Sequence, residues 1–359
     1  MQRDSLWGRQ GKVVHVVGRL SSEVIGFLGP ATHALAHEGF EQQVVMIDAL
    51  QHRQHVAQLH ESAELLLVSA QRNPMAQWKA VLRAFRSVLN AGAVQAVHLH
   101  GVGPGLIAGC VARAAGRQAS IFHSPHGARS FGLLGAVAAA LVRPLLRTPR
   151  DKVVNKGPGW AQASATDRVE LPIEDAFFAV SRHEARHPLI VTGGRAAEAL
   201  RGVERVAQLA VLLGGGVPRI GFNWIGRVDD VSHARLGAAG VGVFDAAAGA
   251  ETAARFAPGG WIYLAPVPSP GFPRSLVEAM AAGLPCIAFD CAQHRRVVRA
   301  GETGYLCASE RDMIERIATL IDEPALRVRL GAAAREAALS QFGEAAFVRK
   351  LRLAYALPT

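Results

Sequence analysis

Cysteine is scarce in this sequence, and its scarcity excludes two classes of protein. Four cysteines occur among 359 residues, and their spacing fits neither a zinc site nor the framework of a disulfide-rich domain. Such usage is typical of a reducing compartment. We therefore expect a cytoplasmic protein whose cysteines, Cys110, Cys286, Cys291 and Cys307, are small core residues.

The sequence also lacks long apolar runs suited to a membrane-spanning helix. The uncharged stretches from Ser87 to Ala112 and from Phe256 to Pro273 are interrupted by histidine, glycine and proline. The first residues, MQRDSLWGRQGK, are polar and lead directly into a strand, so no secretory hydrophobic region is predicted. We expect no transmembrane segment.

Basic residues, in contrast, are in excess. The formal net charge is +10, with 39 Lys and Arg against 29 Asp and Glu. This balance favours an anionic partner: nucleic acid, an anionic membrane surface or a phosphorylated substrate. Nucleic acid is the weakest of the three, because the sequence has no basic stretch interleaved with aromatic residues and no known nucleic-acid-binding module.

One basic segment has two interpretations. The stretch from Phe131 to Lys152 begins apolar and then carries Arg143, Arg147 and Arg150. It suits a helix lying on an anionic membrane, which would make the protein peripheral to the inner face of the cell membrane. It also suits a core-packed helix with a basic exposed end, the interpretation that we favour. The two are compatible if one face of the helix docks.

Strands and helices alternate along the chain. KVVHVVG (Lys12 to Gly18) reads as the first strand, and a second strand–helix series begins at HPLIVTGGR (His187 to Arg195). Such alternation predicts two doubly wound, parallel α/β domains, whose ligands bind at the carboxyl ends of the strands. No G-x-G-x-x-G follows the first strand, which argues against a dinucleotide dehydrogenase. The predicted divisions are a first domain over 1–169, a connector over 170–186, a second domain over 187–340 and a C-terminal helix over 341–359.

The stretch from Val267 to Asp290, VPSPGFPRSLVEAMAAGLPCIAFD, predicts a loop rich in proline and glycine, a short helix and a strand. The helix spans Ser275 to Ala282. Its first backbone N–H groups and the positive end of its dipole suit a phosphate. The alternative is local: Ser275 and Glu278 have the spacing of a capping box, in which the glutamate only satisfies the helix's own amides. The stretch by itself leaves both open.

The chain resembles the retaining glycosyltransferases of family 4. The resemblance covers nearly the whole chain and is most specific in GFPRSLVEAMAAGLPCIAF, followed by GETGYLC from Gly301 to Cys307. It implies the GT-B fold, with two facing Rossmann-like domains and the active site in the cleft. It further implies transfer of a hexose from a nucleotide diphosphate sugar to a saccharide or lipid-linked acceptor, with no metal or other cofactor required. A role in cell-surface polysaccharide biosynthesis would fit.

The resemblance assigns the donor site to the second domain. It implies that Glu278 accepts hydrogen bonds from the ribose hydroxyls of the nucleotide. Backbone amides near Gly271, Phe272, Ser275 and Leu276 would face the sugar and the phosphates. This chemistry is reasonable, because a carboxylate satisfies a vicinal diol and a helix N-terminus satisfies a diphosphate.

Three catalytic residues follow from the same resemblance. Arg195 and Arg201, the latter in place of the family's lysine, would neutralise charge on the departing diphosphate. Arg201 has an alternative interpretation as an exposed helix residue. His126, in SPHG, would reach the sugar and the reaction centre. The other histidines on the same strands, His98, His100 and His123, are expected to be packed or locally hydrogen-bonded, and no metal is expected there because no paired carboxylates are nearby.

The sequence departs from the family at one important position. The first of the family's two glutamates falls on Pro270, which offers no side-chain acceptor. Nearby, the family's frequent Gly-Gly and Glu fall on Ala292, Gln293 and Arg296. We favour an active enzyme with an altered sugar preference. The alternatives are a non-catalytic GT-B scaffold or partner protein with a degenerate donor site, and a nucleotide-sugar epimerase, which fits the motifs less well.

Overall fold

The chain divides into two compact units. One comprises Met1–Leu171 with Phe347–Thr359, and the other Pro172–Ala346. In this computed structural model the described residues are 11–18, 20, 22–48, 53–92, 94–101, 119–124, 152–153, 169–194, 196–216, 219–244, 254, 258–269 and 271–355.

The first unit is built on a six-stranded sheet in the order β3-β2-β1-β4-β5-β6, with every described pairing parallel. The central strands are near-continuous apolar runs, as expected when helices cover both faces of a sheet. The strands are β1 (Lys12–Val17), β2 (Glu41–Asp48), β3 (Ala63–Ser69), β4 (Val94–His100), β5 (Ser120–Ser124) and β6 (Lys152–Val153).

Helices α1 (Ser22–His37), α2 (Arg53–Val56) and α3 (Pro74–Ala91) connect these strands. The start of α3 follows from local chemistry: the side chain of Asn73 accepts from the amides of Met75 and Ala76, and Pro74 occupies the first turn, where its missing N–H costs nothing. The apolar stripe of α3 then packs on the sheet.

The second unit has the same plan. Its sheet has the order β10-β9-β8-β12-β13-β14, and its described pairings are again parallel. The strands up to β10 lie on one side of β8 and those from β12 onward lie on its other side, so the strand order reverses between β8 and β12. A two-stranded ribbon pairs β7 (His183–Glu184) with β11 (Pro258–Gly259). The sheet strands are β8 (Leu189–Gly193), β9 (Gly221–Ile225), β10 (Val241–Phe244), β12 (Ile262–Ala265), β13 (Cys286–Phe289) and β14 (Gly304–Cys307).

Two apolar clusters form the core of this unit, one on each face of the sheet. Gly283, at positive φ, follows the short central helix. The helices are α4 (Asp175–Phe178), α5 (Ala196–Gly214), α6 (Asp230–Ala238), α7 (Arg274–Ala281), α8 (Glu310–Asp322) and α9 (Pro324–Phe342).

The C-terminal helix α10 (Glu344–Tyr355) packs into the core of the first unit. Phe347, Leu351 and Tyr355 are buried there among residues of β1 and α1. Its exposed edge is held by two ion pairs, Lys350 with Glu170 at 3.3 Å and Arg352 with Glu38. The end of the chain is therefore part of the first domain.

The two doubly wound α/β domains predicted from the alternation of strands and helices are confirmed. The basic segment from Phe131 lies outside the described residues, except that Lys152 belongs to β6. Within the described part of the chain, no helix combines the length and the apolar character needed to cross a bilayer.

Candidate functional site

A pocket lies at the carboxyl ends of β8 and β12, with about 440 Å³ of empty space when the open solvent at its mouth is included. This is the point at which the strand order reverses, where ligands of open α/β sheets bind. No charged side chain lines the pocket among the described residues. The lining residues are Thr192, Gly193, Gly194, Gly202, Trp224, Tyr263, Ala265, Pro266, Val267, Pro268, Ser269, Ser275, Leu276 and His294.

The floor of the pocket is formed around the carbonyl of Gly193. The hydroxyl of Tyr263 donates to this oxygen at 3.2 Å, and the hydroxyl of Ser275 donates to it at 3.3 Å. Only glycine fits here, since a Cβ atom on Gly193 would lie 2.2 Å from the carbonyl oxygen of Ile225. Strand β8, strand β12 and helix α7 are thus tied together at one point.

Helix α7 directs its first turn towards the pocket. Its N-cap is Pro273, which supplies no side-chain acceptor, and its first helical hydrogen bond runs from the Val277 amide to the Pro273 carbonyl at 3.1 Å. In the described part of the chain, the amides of Ser275 and Leu276 therefore have no backbone acceptor. Free amides and a positive dipole end at a pocket wall suit an anionic group.

The capping-box alternative is wrong. Ser275 lies inside the helix and not at its N-cap, and its hydroxyl donates to Gly193 rather than accepting from the helix. Glu278 accepts instead from the Nε atom of Arg274 at 2.8 Å, an i,i+4 ion pair on the surface of the helix. Arg274 also donates to the carbonyl of Pro172 at 3.3 Å, so the carboxylate is held by an anchored partner.

The predicted donor-binding residues lie in two groups. Ser275 and Leu276 line the pocket. Gly271, Phe272 and Glu278 lie beside it and not in its lining, and the ring of Phe272 packs against Phe342 with centroids 5.3 Å apart. The predicted role of Glu278 towards a ribose stays a prediction.

Of the three predicted catalytic residues, His126 and Arg195 lie outside the described residues. Arg201 lies on α5 and is exposed. Its neighbour Gly202 forms part of the pocket wall, where a Cβ atom would meet the Trp224 ring at 3.5 Å. The backbone of α5 thus approaches the pocket next to this arginine.

Of the lining residues, the sequence analysis identified Ser275 and Leu276 and missed the others, including the hydrogen-bonded pair Ser269 and His294. His294 is fully buried, and its ring nitrogens contact the Phe289 carbonyl at 2.7 Å and the Ser269 hydroxyl at 3.2 Å. Burial lowers the pKa of His294, against smaller opposing effects from the Phe289 carbonyl and Asp290. No local pattern indicates this pair, because Ser269 lies in the loop after β12 and His294 begins a short 3₁₀ helix 25 positions later.

Buried histidines of the first unit form a second polar cluster, on β1 and β4. The nitrogens of His15, His98 and His100 lie within 4.8 Å of one another, which is close enough to consider a metal. The rings of His98 and His100 are stacked with centroids 3.9 Å apart. Both His98 nitrogens already contact hydroxyls, those of Tyr355 and Ser124.

The geometry therefore describes a hydrogen-bonded network in the first domain. His15 and His100 are joined by a nitrogen–nitrogen contact of 3.1 Å. His123, on β5, contacts the Gly101 carbonyl through Nε2 at 2.9 Å. The prediction that His98, His100 and His123 are packed, locally hydrogen-bonded residues is confirmed.

Comparison with known proteins points to one enzyme class for the segment around α7. Residues 259–337 match the profile of the family described as Glycosyl transferases group 1. A curated relative, an uncharacterized glycosyltransferase of Haemophilus influenzae, is 35% identical over 72 residues, which are 19% of this chain. The match spans 20% of the length of that relative.

Solved structures resemble nearly the whole chain. A glycosyltransferase of Rickettsia africae is similar with a TM-score of 0.68 and 13% identity, covering 96% of this chain and 97% of the other. Anabaena HepE, solved in complex with UDP and glucose, is similar with a TM-score of 0.64 and 12% identity, covering 95% and 98%. At such identities the likeness concerns the fold, and it confirms two Rossmann-like domains of the GT-B type.

Proposed function

We propose that the protein is a glycosyltransferase that moves a hexose from a nucleotide diphosphate sugar to a saccharide or lipid-linked acceptor, with retention of the anomeric configuration. The observation that carries the proposal is the pocket at the switch point of the second sheet. The first turn of α7 forms one of its walls, inside the segment that matches the glycosyl transferases group 1 profile.

The pocket suits a nucleotide diphosphate sugar in two respects. The amides of Ser275 and Leu276 and the dipole of α7 offer a diphosphate several hydrogen-bond donors without a full positive charge. Beside them, Glu278 is oriented by Arg274 and accepts from the ribose hydroxyls, since a carboxylate has acceptor capacity for several donors.

The remaining roles follow the family resemblance. Arg195 and Arg201 stabilise the charge that develops on the departing nucleoside diphosphate, so that no metal is needed for this purpose. His126 donates to the transferred sugar, and the departing phosphate takes the proton of the acceptor hydroxyl. A basic surface on a chain of net charge +10 favours an acceptor held at the inner face of the cell membrane, as in cell-surface polysaccharide biosynthesis.

A turnover assay separates this proposal from that of a non-catalytic scaffold. The observation that favours a scaffold is Pro270, which stands where the family has its first glutamate. Purified protein is incubated with UDP-glucose, GDP-mannose and ADP-glucose together with a lipid-linked saccharide fraction, and release of the nucleoside diphosphate is followed. We expect turnover with one donor and a fall of at least about tenfold in Arg201→Ala, equivalent to one charge-assisted hydrogen bond.

The variant Pro270→Glu restores the family's residue and tests the scaffold alternative. If the native protein shows no turnover and this variant turns over a common hexose donor, the native donor site is degenerate and the scaffold is favoured. If native turnover is present and the variant changes only which hexose is preferred, the enzyme is active and its sugar preference is altered.

A further inference from the structure

Ser269 and His294 form a hydrogen-bonded pair in the wall of the pocket. The Ser269 hydroxyl lies 3.2 Å from Nε2 of His294, and Nδ1 of the same ring lies 2.7 Å from the Phe289 carbonyl oxygen. The imidazole is fully buried, whereas Ser269 is part-buried, and both residues line the pocket. The Phe289 carbonyl thus holds the His294 ring through Nδ1, and Ser269, at Nε2, lines the pocket.

The direction of both hydrogen bonds can be derived. A carbonyl oxygen only accepts, so Nδ1 of His294 carries the proton that is donated to Phe289. Burial lowers the pKa of His294, which keeps the ring neutral and leaves a lone pair on Nε2. The Ser269 hydroxyl must therefore donate to Nε2. Its oxygen is left as an acceptor, and its lone pairs are free to receive a donor from the pocket.

The acceptor oxygen of Ser269 belongs to the residue next to the position at which this chain departs from family 4. Ser269 directly precedes Pro270, where family 4 glycosyltransferases carry the first glutamate and this chain has no side-chain acceptor. The described lining offers hydroxyls, rings and amides without a charged group. A neutral ligand group with hydroxyl donors fits such a lining better than a second anionic group does.

We propose that Ser269, oriented by His294, accepts a hydrogen bond from a hydroxyl of the transferred sugar and so takes over a contact that Pro270 cannot make. The inference rests on the proposed function, because it requires a nucleotide sugar in this pocket. Ser269 acts as a specificity-determining residue and His294 as a positioning residue.

Separate binding of nucleotide and nucleotide sugar tests the pair. Wild type and Ser269→Ala are titrated calorimetrically with UDP, GDP and ADP and with UDP-glucose, GDP-mannose and ADP-glucose. For the nucleotide that binds, we expect Ser269→Ala to lower the affinity for the sugar conjugate about five- to tenfold, the loss of one neutral hydrogen bond. The affinity for the free nucleotide should stay unchanged, since the nucleotide makes no contact with Ser269.

Three further variants make the test specific. Ser269→Thr keeps the hydroxyl and should restore most of the affinity for the sugar conjugate. Ser309→Ala removes the N-cap of α8 in the same domain, where the serine hydroxyl accepts from the Asp312 amide. It should lower the melting temperature without altering the ratio of the affinity for the sugar conjugate to the affinity for the free nucleotide. His294→Gln alone should reduce this affinity ratio. Added to Ser269→Ala it should have no further effect, because both substitutions act through the Ser269 hydroxyl.

The outcomes separate the inference from the function on which it rests. If none of the nucleotides binds, the proposed function fails and the inference fails with it. If a nucleotide binds but Ser269→Ala weakens nucleotide and conjugate equally, or neither, the proposed function stands and the inference is overturned. A selective loss that Ser269→Thr restores supports both.

Discussion

At the scale of single residues, two adjacent glycines of the pocket should respond very differently to the same substitution. A Cβ atom on Gly193 would lie 2.2 Å from the Ile225 carbonyl oxygen, whereas a Cβ atom on Gly194 would meet nothing within 4 Å. We expect Gly193→Ala to lower the free energy of unfolding by about 1–3 kcal/mol, because backbone must move. Gly194→Ala should change it by less than about 0.5 kcal/mol.

Urea denaturation of the two variants measures this difference. Gly193→Ala should also weaken nucleotide binding, since the same carbonyl anchors Tyr263 and Ser275. Equal stability of the two alanine variants would contradict the geometry of the pocket floor.

The buried histidine on β1 should make stability depend on pH. Burial lowers the pKa of His15 to about 3 from an ordinary value of 6.5. The unfolded chain binds a proton at this residue near pH 6.5 and the folded chain does not, so the free energy of unfolding falls as the pH decreases from about 6.5 towards 3. The limiting slope for one such group is about 1.4 kcal/mol per pH unit.

Unfolding free energies measured between pH 7 and pH 4 test this dependence. His15→Leu should reduce the slope, and exposed His233→Leu serves as the control that leaves the buried ring in place. A slope identical to that of wild type would mean that His15 is protonated in the folded protein.

Residue patterns predicted the site only where the signal is local. Ser275 and Leu276 were assigned through the resemblance to family 4 glycosyltransferases, whose motif is one continuous stretch of sequence, and both line the pocket. The capping box failed because proline at 273 ends the preceding loop and moves the N-cap two residues upstream of Ser275. The Ser269–His294 pair could not be predicted, since only the fold brings these two distant segments together.

At the scale of secondary-structure elements, one buried arginine joins several elements of the second domain. Arg327 on α9 is 2% exposed and pairs with Glu184 of β7 at 2.7 Å. It donates to the Leu320 and Ile321 carbonyls near the end of α8, and its guanidinium lies 4.0 Å from the centroid of the Trp261 ring. These contacts satisfy the carbonyls that a helix C-terminus leaves without partners.

Removing this arginine should be costly. We expect Arg327→Met to lower the free energy of unfolding by about 2–4 kcal/mol, because two helix carbonyls lose their donor and Glu184 keeps only Arg182 as its ionic partner. Arg329→Met, two positions along the same helix and exposed, should change it little. Denaturation of both variants in urea provides the measurement, and similar midpoints would show that Arg327 is dispensable.

The elements themselves were largely predictable. The helix expected over Ser275 to Ala282 spans Arg274–Ala281, and the strand expected after it is β13. Apolar runs bounded by glycine and proline give such elements a clear local signal. The packing of α10 onto the first domain has no such signal, because Phe347, Leu351 and Tyr355 form an ordinary apolar stripe that would suit either domain.

At the scale of the whole molecule, the net charge of +10 is the property most directly connected to location. If the segment from Phe131 to Lys152 docks on an anionic membrane, each arginine near the surface contributes about 1 kcal/mol. Replacing Arg143, Arg147 and Arg150 together with glutamine should then reduce binding to phosphatidylserine-containing liposomes by roughly two orders of magnitude.

Co-sedimentation with liposomes measures this effect. A triple replacement of exposed Arg311, Arg316 and Arg329 by glutamine lowers the net charge equally and is the matched control. If both triple variants lose binding alike, attraction depends on overall charge and not on the segment. Unchanged binding of the variant at Arg143, Arg147 and Arg150 would show that the segment does not dock on the membrane.

The central claim is that the pocket beside α7 holds a nucleotide diphosphate sugar, and calorimetric titration of Glu278→Ala tests it most directly. The control is Glu315→Ala, which removes an i,i+4 ion pair of the same kind, from Arg311 to Glu315 at 2.9 Å, on α8. We predict that one nucleotide among UDP, GDP and ADP binds wild type and Glu315→Ala equally and binds Glu278→Ala about 10- to 100-fold more weakly. Binding of no nucleotide, or equal binding by all three proteins, would contradict the account.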